Sequence, residues 1–222
     1  MEINKYLTRQ SDLIPAQVLT TPITVVGAGA IGSMVVLTLA KMGFNDITVY
    51  DDDTIEHVNI NNQFYRISDI GKAKVEALAE LVYDFTHVKI KPCKMRTNKD
   101  MMLSNKIIIS AVDSMKSRKE IFDCFYGSVL IDPRMAIEYA SIRTYFPVLG
   151  DKPKDYTDSL FNDSEAVQER CTAKATMYTA SLIAGHVSKI VLDFCLDRDI
   201  VRSLDWDIGA NKYSAYVQRK GE

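Results

Sequence analysis

Three glycines, Gly27, Gly29 and Gly32, stand in the spacing GxGxxG directly after the β-branched run Ile23–Val26 and directly before an apolar stretch with helical periodicity. Between a strand and a helix, glycines let the backbone approach a nucleotide closely, and the helix N-terminus offers unpaired N–H groups and its dipole to phosphates. Asp51 closes the next β-branched run, at the spacing of a carboxylate that accepts hydrogen bonds from ribose hydroxyls. Together these residues read as a nucleotide site. On them alone, a nicotinamide-binding Rossmann protein fits as well as any other nucleotide-binding domain. Asp113 follows a run of three isoleucines and stands where it can cap the next helix. Cys171 precedes a long apolar stretch, where a helix dipole would favour thiolate; a half-buried thiol without chemistry fits the position equally. Lys74, taken by itself, is a first-turn helix lysine that slightly opposes the dipole.

The elements that must position these residues alternate. The strand Ile23–Val26 leads through the glycines to a helix over Ile31–Met42, closed by Gly43; the strand Ile47–Tyr50 ends at Asp51, Asp52 and Asp53. A helix after Asp69–Gly71 carries Val75, Leu78, Ala79, Val82 and Phe85 at spacings of three and four. A weak strand at Val88–Ile90, a strand at Lys106–Ser110 buried on both faces, a helix over Ser114–Tyr126 and a strand at Val129–Asp132 follow. Such alternation predicts an α/β fold, a doubly wound Rossmann-like sheet, with its ligand crevice at the carboxyl ends of the strands, after Val26, Tyr50 and Ser110. Beyond Pro133 the pattern changes. Tyr139–Phe146 reads as extended, Pro147–Gln168 as a polar surface loop or crossover, and Thr172 to about Asp197 as one long helix. Two strand-like pieces, Leu204–Ile208 and Tyr213–Val217, then give a mostly parallel sheet antiparallel C-terminal strands.

Composition excludes several classes. A chain of 222 residues with 47% hydrophobic and 25% charged residues fits one globular domain over 1–222. Its 27 basic and 29 acidic residues give a net charge of -2, which leaves no electrostatic footprint for duplex nucleic acid or an anionic membrane. The uncharged stretch Leu13–Ala40 is long enough for a bilayer, but Pro15, Gln17, Pro22 and the three glycines make it a strand, a turn and a buried helix. Cys93, Cys124, Cys171 and Cys195 form no CxxC pair, and His57, His87 and His186 lack metal-ligand spacing, so no zinc is expected. Met1–Gln10 shows no secretory pattern, which points to the cytoplasm.

The segment DDDTIEHVNINNQFYRISDIGKAKVEAL resembles the ThiF/MoeB/HesA adenylyltransferase family, which includes the adenylation domains of ubiquitin-activating enzymes. That family's D-x-D-x-V, N-x-x-R-Q and D-x-G-x-x-K pattern falls here on Asp51, Asp53, Asn59, Gln63, Gly71 and Lys74. Upstream, YLTRQSDLI resembles an N-terminal segment in which Arg9 matches the arginine that, in homodimeric members, reaches into the partner's site. Downstream, SAVDSMKSR places Asp113 at the family's magnesium-associated aspartate and Arg118 on the next helix, and CTAKATMYTASLIAGHVSKIV resembles its cysteine-led helix.

The resemblance implies an ATP-dependent adenylyltransferase that activates a carboxylate, the C-terminus of a small ubiquitin-like or sulfur-carrier protein, with release of pyrophosphate. It implies ATP and magnesium as cofactors, a homodimer, and catalytic roles for Arg9, Lys74, Asp113 and Cys171, with magnesium on Asp113. Gly27, Gly29, Gly32, Asp51, Asp53, Asn59 and Gln63 would bind the nucleotide. One departure concerns charge: Asn62 stands where the family has arginine, and Arg66 is the nearest cation along the segment that would replace it. Asn62 also favours the alternative of a non-catalytic scaffold subunit of the same fold, and a nicotinamide-binding Rossmann protein is a further alternative.

Overall fold

Ile107, Ile108 and Ile109 are fully buried at the middle of an eight-stranded sheet, as their unbroken β-branched run requires. The computed structural model describes residues 3–98, 100–161 and 175–219. In chain order the elements are α1 (Ile3–Leu7), β1 (Ile23–Val26), α2 (Ala30–Lys41), β2 (Ile47–Tyr50), α3 (Lys74–Thr86), β3 (Lys91–Cys93) and β4 (Ile107–Ser110). They continue with α4 (Met115–Asp123), β5 (Val129–Ala136), β6 (Tyr139–Tyr145), α5 (Pro153–Thr157), α6 (Met177–Cys195), β7 (Ile200–Asp207) and β8 (Lys212–Gln218).

The sheet order is β3-β2-β1-β4-β5-β6-β7-β8. The first five strands are parallel and the last three pair antiparallel, so the expected mostly parallel Rossmann-like sheet with antiparallel C-terminal strands is present. Strand order reverses between β1 and β4, and the crevice of an open α/β sheet lies at such a switch point. In-register pairs, Ile23 with Ile47 on one side and with Ile107 on the other, align the carboxyl ends of the strands and so the loops that carry the polar residues.

Alternation along the strands divides the core. Val25, Ile107, Ile109 and Ile131 pack with Val35 and Leu39 of α2, Leu78 of α3, and Ile183 and Val187 of α6. Val26, Ile108 and Leu130 face the other way, onto Ile121 of α4 and Tyr156 of α5. Side-chain caps fix two helix starts: the Ser114 hydroxyl accepts from the Ser117 N–H at 3.1 Å, and the Thr176 hydroxyl from the Thr179 N–H at 3.4 Å.

Several boundaries differ from the sequence expectation; β5 runs on to Ala136 and α4 ends at Asp123. The third strand is Lys91–Cys93, not Val88–Ile90, because Val88 and Ile90 are used as core plugs as the chain leaves α3 through the left-handed His87. Pro92 is tolerated there since β3 is an edge strand. The stretch read as a polar loop contains α5, whose Tyr156 is only 2% exposed. Of the long helix expected from Thr172 to about Asp197, Thr172 lies outside the described residues, and α6 runs over Met177–Cys195 after the extended Thr176. The last two strands are longer than expected, Ile200–Asp207 and Lys212–Gln218. Among the described residues no helix is long and apolar enough to cross a membrane.

Candidate functional site

A cleft of about 1310 Å³ opens over the carboxyl ends of β1, β2, β4 and β5. The glycine loop forms its base. Gly27 has φ +96°, and a side chain there would strike the Ala111 carbonyl; one at Gly32 would strike the Gly27 carbonyl. At Gly29 a Cβ would meet nothing within 4 Å, so protein packing does not explain that glycine, and the space above it is free for a ligand.

Two side chains hold the loop rigid from opposite directions. Asp51 Oδ2 accepts from the Ala28 N–H at 2.7 Å while its Oδ1 accepts from the Asp53 N–H at 2.8 Å. The Tyr65 hydroxyl donates to the Ala28 carbonyl at 2.6 Å. Burial, reinforced by the charges of Asp51, Asp69 and Asp53, pushes the Tyr65 hydroxyl far up from its ordinary value, so it stays a donor. Nothing in the sequence pattern singled out Tyr65, because a lone tyrosine in a loop carries no periodic signal.

Lys74 begins α3 and is 6% exposed, yet it lines the cleft. Its Nζ lies 2.6 Å from Asp53 Oδ2, and its N–H donates to the Asp53 carbonyl at 3.0 Å. The ion pair holds an ammonium at a helix start that would otherwise repel it. Asn59 Oδ1 accepts from the Glu56 N–H at 2.9 Å, leaving its NH₂ for the cleft. Asn62 and Gln63 also line the cleft, and their buried amide oxygens have no partner among the described residues.

Asp113 is exposed in the cleft, and no hydrogen bond or ion pair holds its carboxylate among the described residues. A free carboxylate facing the phosphate side is the oxygen donor that a magnesium ion takes along with substrate oxygens. Asp51, Asp52 and Asp53 bring carboxylate oxygens within 4.8 Å of one another, but Asp51 accepts from two backbone amides and Asp53 is paired to Lys74. Among the cleft carboxylates, Asp113 is therefore the better fit to a metal.

The remaining expected residues are placed elsewhere. Arg66 does not line the cleft; its guanidinium pairs with Asp84 on α3 at 2.5 Å. It therefore does not fill the space left by the arginine that Asn62 replaces. Arg9 is exposed in the turn after α1 and is not a lining residue. Cys171 lies outside the described residues, and α6 starts well beyond it at Met177.

Arg118 is buried beneath the β4–α4 loop. It pairs with Asp132 and donates to the carbonyls of Val112, Ser110 at 3.3 Å and Pro133 at 3.1 Å. Asp132, fully buried, also accepts from Arg134 and from the Tyr156 hydroxyl at 3.0 Å. Arg118 thus fixes the backbone next to Asp113. A last lining residue, Arg96, was missed by sequence reasoning, since one arginine in a loop carries no spacing signal.

Known proteins resemble this chain in sequence and in fold. The ThiF family profile matches residues 15–205. The chain is 34% identical over 121 residues to the NEDD8-activating enzyme E1 catalytic subunit of Dictyostelium discoideum, an alignment covering 52% of this chain and 27% of that protein. It is 39% identical over 71 residues to the adenylyltransferase and sulfurtransferase UBA4 of Yarrowia lipolytica, covering 32% of this chain and 17% of that protein. The crystal structure of E. coli MccB with ATP superposes with a TM-score of 0.71 at 15% identity, covering 92% of this chain and 66% of that one, a likeness of fold. The alignments thus span under a third of the length of each of these two enzymes. With the profile running from before β1 into β7, across every loop that lines the cleft, the chain belongs to the ThiF family.

Proposed function

We propose that this chain, as a single adenylation domain over 1–222, binds ATP and transfers its adenylyl group to a carboxylate, the C-terminus of a small ubiquitin-like or sulfur-carrier protein. The observation that supports this most is the convergence, in one cleft, of an open glycine loop, the Asp51 carboxylate at the end of β2, a buried lysine and a free aspartate. The named relatives activate NEDD8 or are adenylyltransferases, which points to the same class of acceptor.

A carboxylate oxygen attacks the α-phosphorus, the bond to the bridging oxygen breaks, and pyrophosphate leaves. Such a step needs two anions aligned and charge offset, with little covalent help from protein. Gly29 and the α2 N-terminus receive phosphate oxygens, and Asp51 accepts from the ribose hydroxyls. The NH₂ groups of Asn59, Asn62 and Gln63 donate to phosphate oxygens, and Lys74 places its ammonium against charge that grows on the leaving group. Asp113 would hold a magnesium ion, which supplies charge neutralisation on the triphosphate when bound.

Pyrophosphate–ATP exchange in the presence of purified ubiquitin-like and sulfur-carrier proteins tests this reading, with calorimetry for ATP and NAD beside it. Exchange that depends on a carrier with a free C-terminal carboxylate is the expected result. NAD binding without ATP binding would overturn it. ATP binding with no exchange for any carrier would instead favour a scaffold subunit, a reading that rests on Asn62 at the place of the family's arginine.

The working unit we infer is a homodimer in the cytoplasm, with Arg9 of one subunit completing the other's cleft. An exposed arginine outside its own cleft fits a role in trans. Mixing Arg9→Ala with Asp113→Ala chains should restore up to about a quarter of parental exchange, since random pairing makes half the dimers mixed and each keeps one intact site. Turnover by a strictly monomeric species in sedimentation would refute it.

A further inference from the structure

Among the described residues three cations line the cleft: Lys74, Arg96 and Arg118. Lys74 is paired with Asp53 and Arg118 with Asp132, whereas Arg96 has no carboxylate partner among the described residues. Its Nη2 lies 3.3 Å from the Ser117 hydroxyl. Arg96 stands beyond β3 at the sheet edge, and Ser117 in the first turn of α4, beyond β4, so this contact crosses above the ends of β2 and β1. Next to these two in the chain, Met95 and Thr97 on one side and Val112 and Glu120 on the other also line the cleft, and we call this part of it the slot.

The nucleotide's own geometry says what enters that slot. With phosphates over Gly29 and the α2 N-terminus, and the ribose hydroxyls on Asp51 at the end of β2, the base extends from the ribose away from the phosphates. Along the sheet order that direction leads from β2 towards the residues after β3, where Arg96 stands. The slot has an apolar lining in Met95 and Val112, and an exposed guanidinium at its rim held by a single hydroxyl contact. A guanidinium is planar and weakly hydrated, and it stacks on π-faces where a lysine ammonium only supplies a point charge.

We propose that Arg96 lays its guanidinium on the face of the nucleobase, closing the base slot against Ser117 and setting nucleotide affinity without acting on the reacting phosphates. This rests on the reading of the cleft as an ATP site. A purine offers the guanidinium a larger face than a pyrimidine, so Arg96 also favours ATP over CTP.

The test is calorimetry of the full chain, in magnesium-containing buffer, with ATP and with inorganic tripolyphosphate, for the parent, Arg96→Ala and Arg96→Lys. Arg96→Ala should weaken ATP binding about 3- to 30-fold, the range of cation–π stabilisation, and leave tripolyphosphate binding unchanged. Arg96→Lys should recover only part of that loss, and in exchange assays KM for ATP should rise while kcat holds. Equal weakening of both ligands would overturn the proposal and place Arg96 on the phosphates. Unchanged ATP affinity in Arg96→Ala would overturn it too. A parent chain that binds no ATP overturns the ATP reading itself, whereas a parent that binds ATP beside an indifferent Arg96→Ala overturns only the role of Arg96.

Discussion

Lys74→Ala slows carrier-dependent pyrophosphate exchange by about two to three orders of magnitude while ATP affinity changes only a few-fold. A preorganised donor aimed at charge that develops in the transition state is worth roughly 10²–10³ in rate, and ground-state binding is spread over many contacts. The geometry supports this split. Lys74 Nζ is held at 2.6 Å from Asp53 Oδ2 and is nearly buried, so its position needs no ordering when the nucleotide arrives. Removing it leaves Asp53 unpaired, but that carboxylate is 64% exposed, so water takes the place of the ammonium and the fold keeps its stability. Single-turnover adenylation and ATP calorimetry on the parent and the variant separate the two effects. Equal exchange rates would remove Lys74 from the chemistry, and a loss confined to ATP affinity would make it a ground-state contact.

The parts of this site that were legible in the sequence are those with local periodicity or fixed spacing. The glycines, Asp51 and the strand Lys106–Ser110 were readable because a strand–loop–helix passage has only one way to fold tightly, and three adjacent isoleucines demand burial on both faces. Asn59, Gln63, Lys74 and Asp113 stood out through a family pattern, and the fold brings all four to one cleft. What the sequence did not show depends on where a side chain turns. Arg66 is the candidate cation on paper, and Arg96 is a bare loop arginine. Asp84 draws the first away along α3, and only the crossing of the β3 loop towards α4 brings the second over the cleft. Tyr65 and Tyr156 were silent for the same reason: each is a single aromatic whose importance lies in one long-range hydrogen bond, to Ala28 and to Asp132. The boundary at Val88–Ile90 was misplaced because alternating apolar residues mark burial, and burial here is in the core beside the sheet and not in its ladder.

The largest loss of stability is expected at Asp132, on the side of the sheet away from the glycine loop's helix. Its carboxylate is fully buried and accepts from Arg118, Arg134 and Tyr156, which tie β5, α4 and α5 to one point. Asp132→Ala leaves the Arg118 guanidinium, itself 4% exposed, without a counter-charge, and breaking a buried pair from one end costs about 3–5 kcal/mol. For a domain of this size that lowers Tm by roughly 6–20 °C. Tyr156→Phe removes only one donor from the same carboxylate and should cost about 1.5–3 kcal/mol. Replacing both charges together, Arg118→Met with Asp132→Leu, takes away the more deeply buried of the two orphaned cations and should regain part of the stability lost by Asp132→Ala, Arg134 keeping its bonds to Ser159. Exchange activity should not recover with it, because Arg118 also holds the Val112 carbonyl beside Asp113. Thermal melts followed by circular dichroism, run beside exchange assays on the same four proteins, check both halves. A double variant less stable than Asp132→Ala would mean that the pair itself, and not the burial of an unpaired charge, carries the energy. A stable double variant with parental exchange would show that the loop holding Asp113 does not need Arg118.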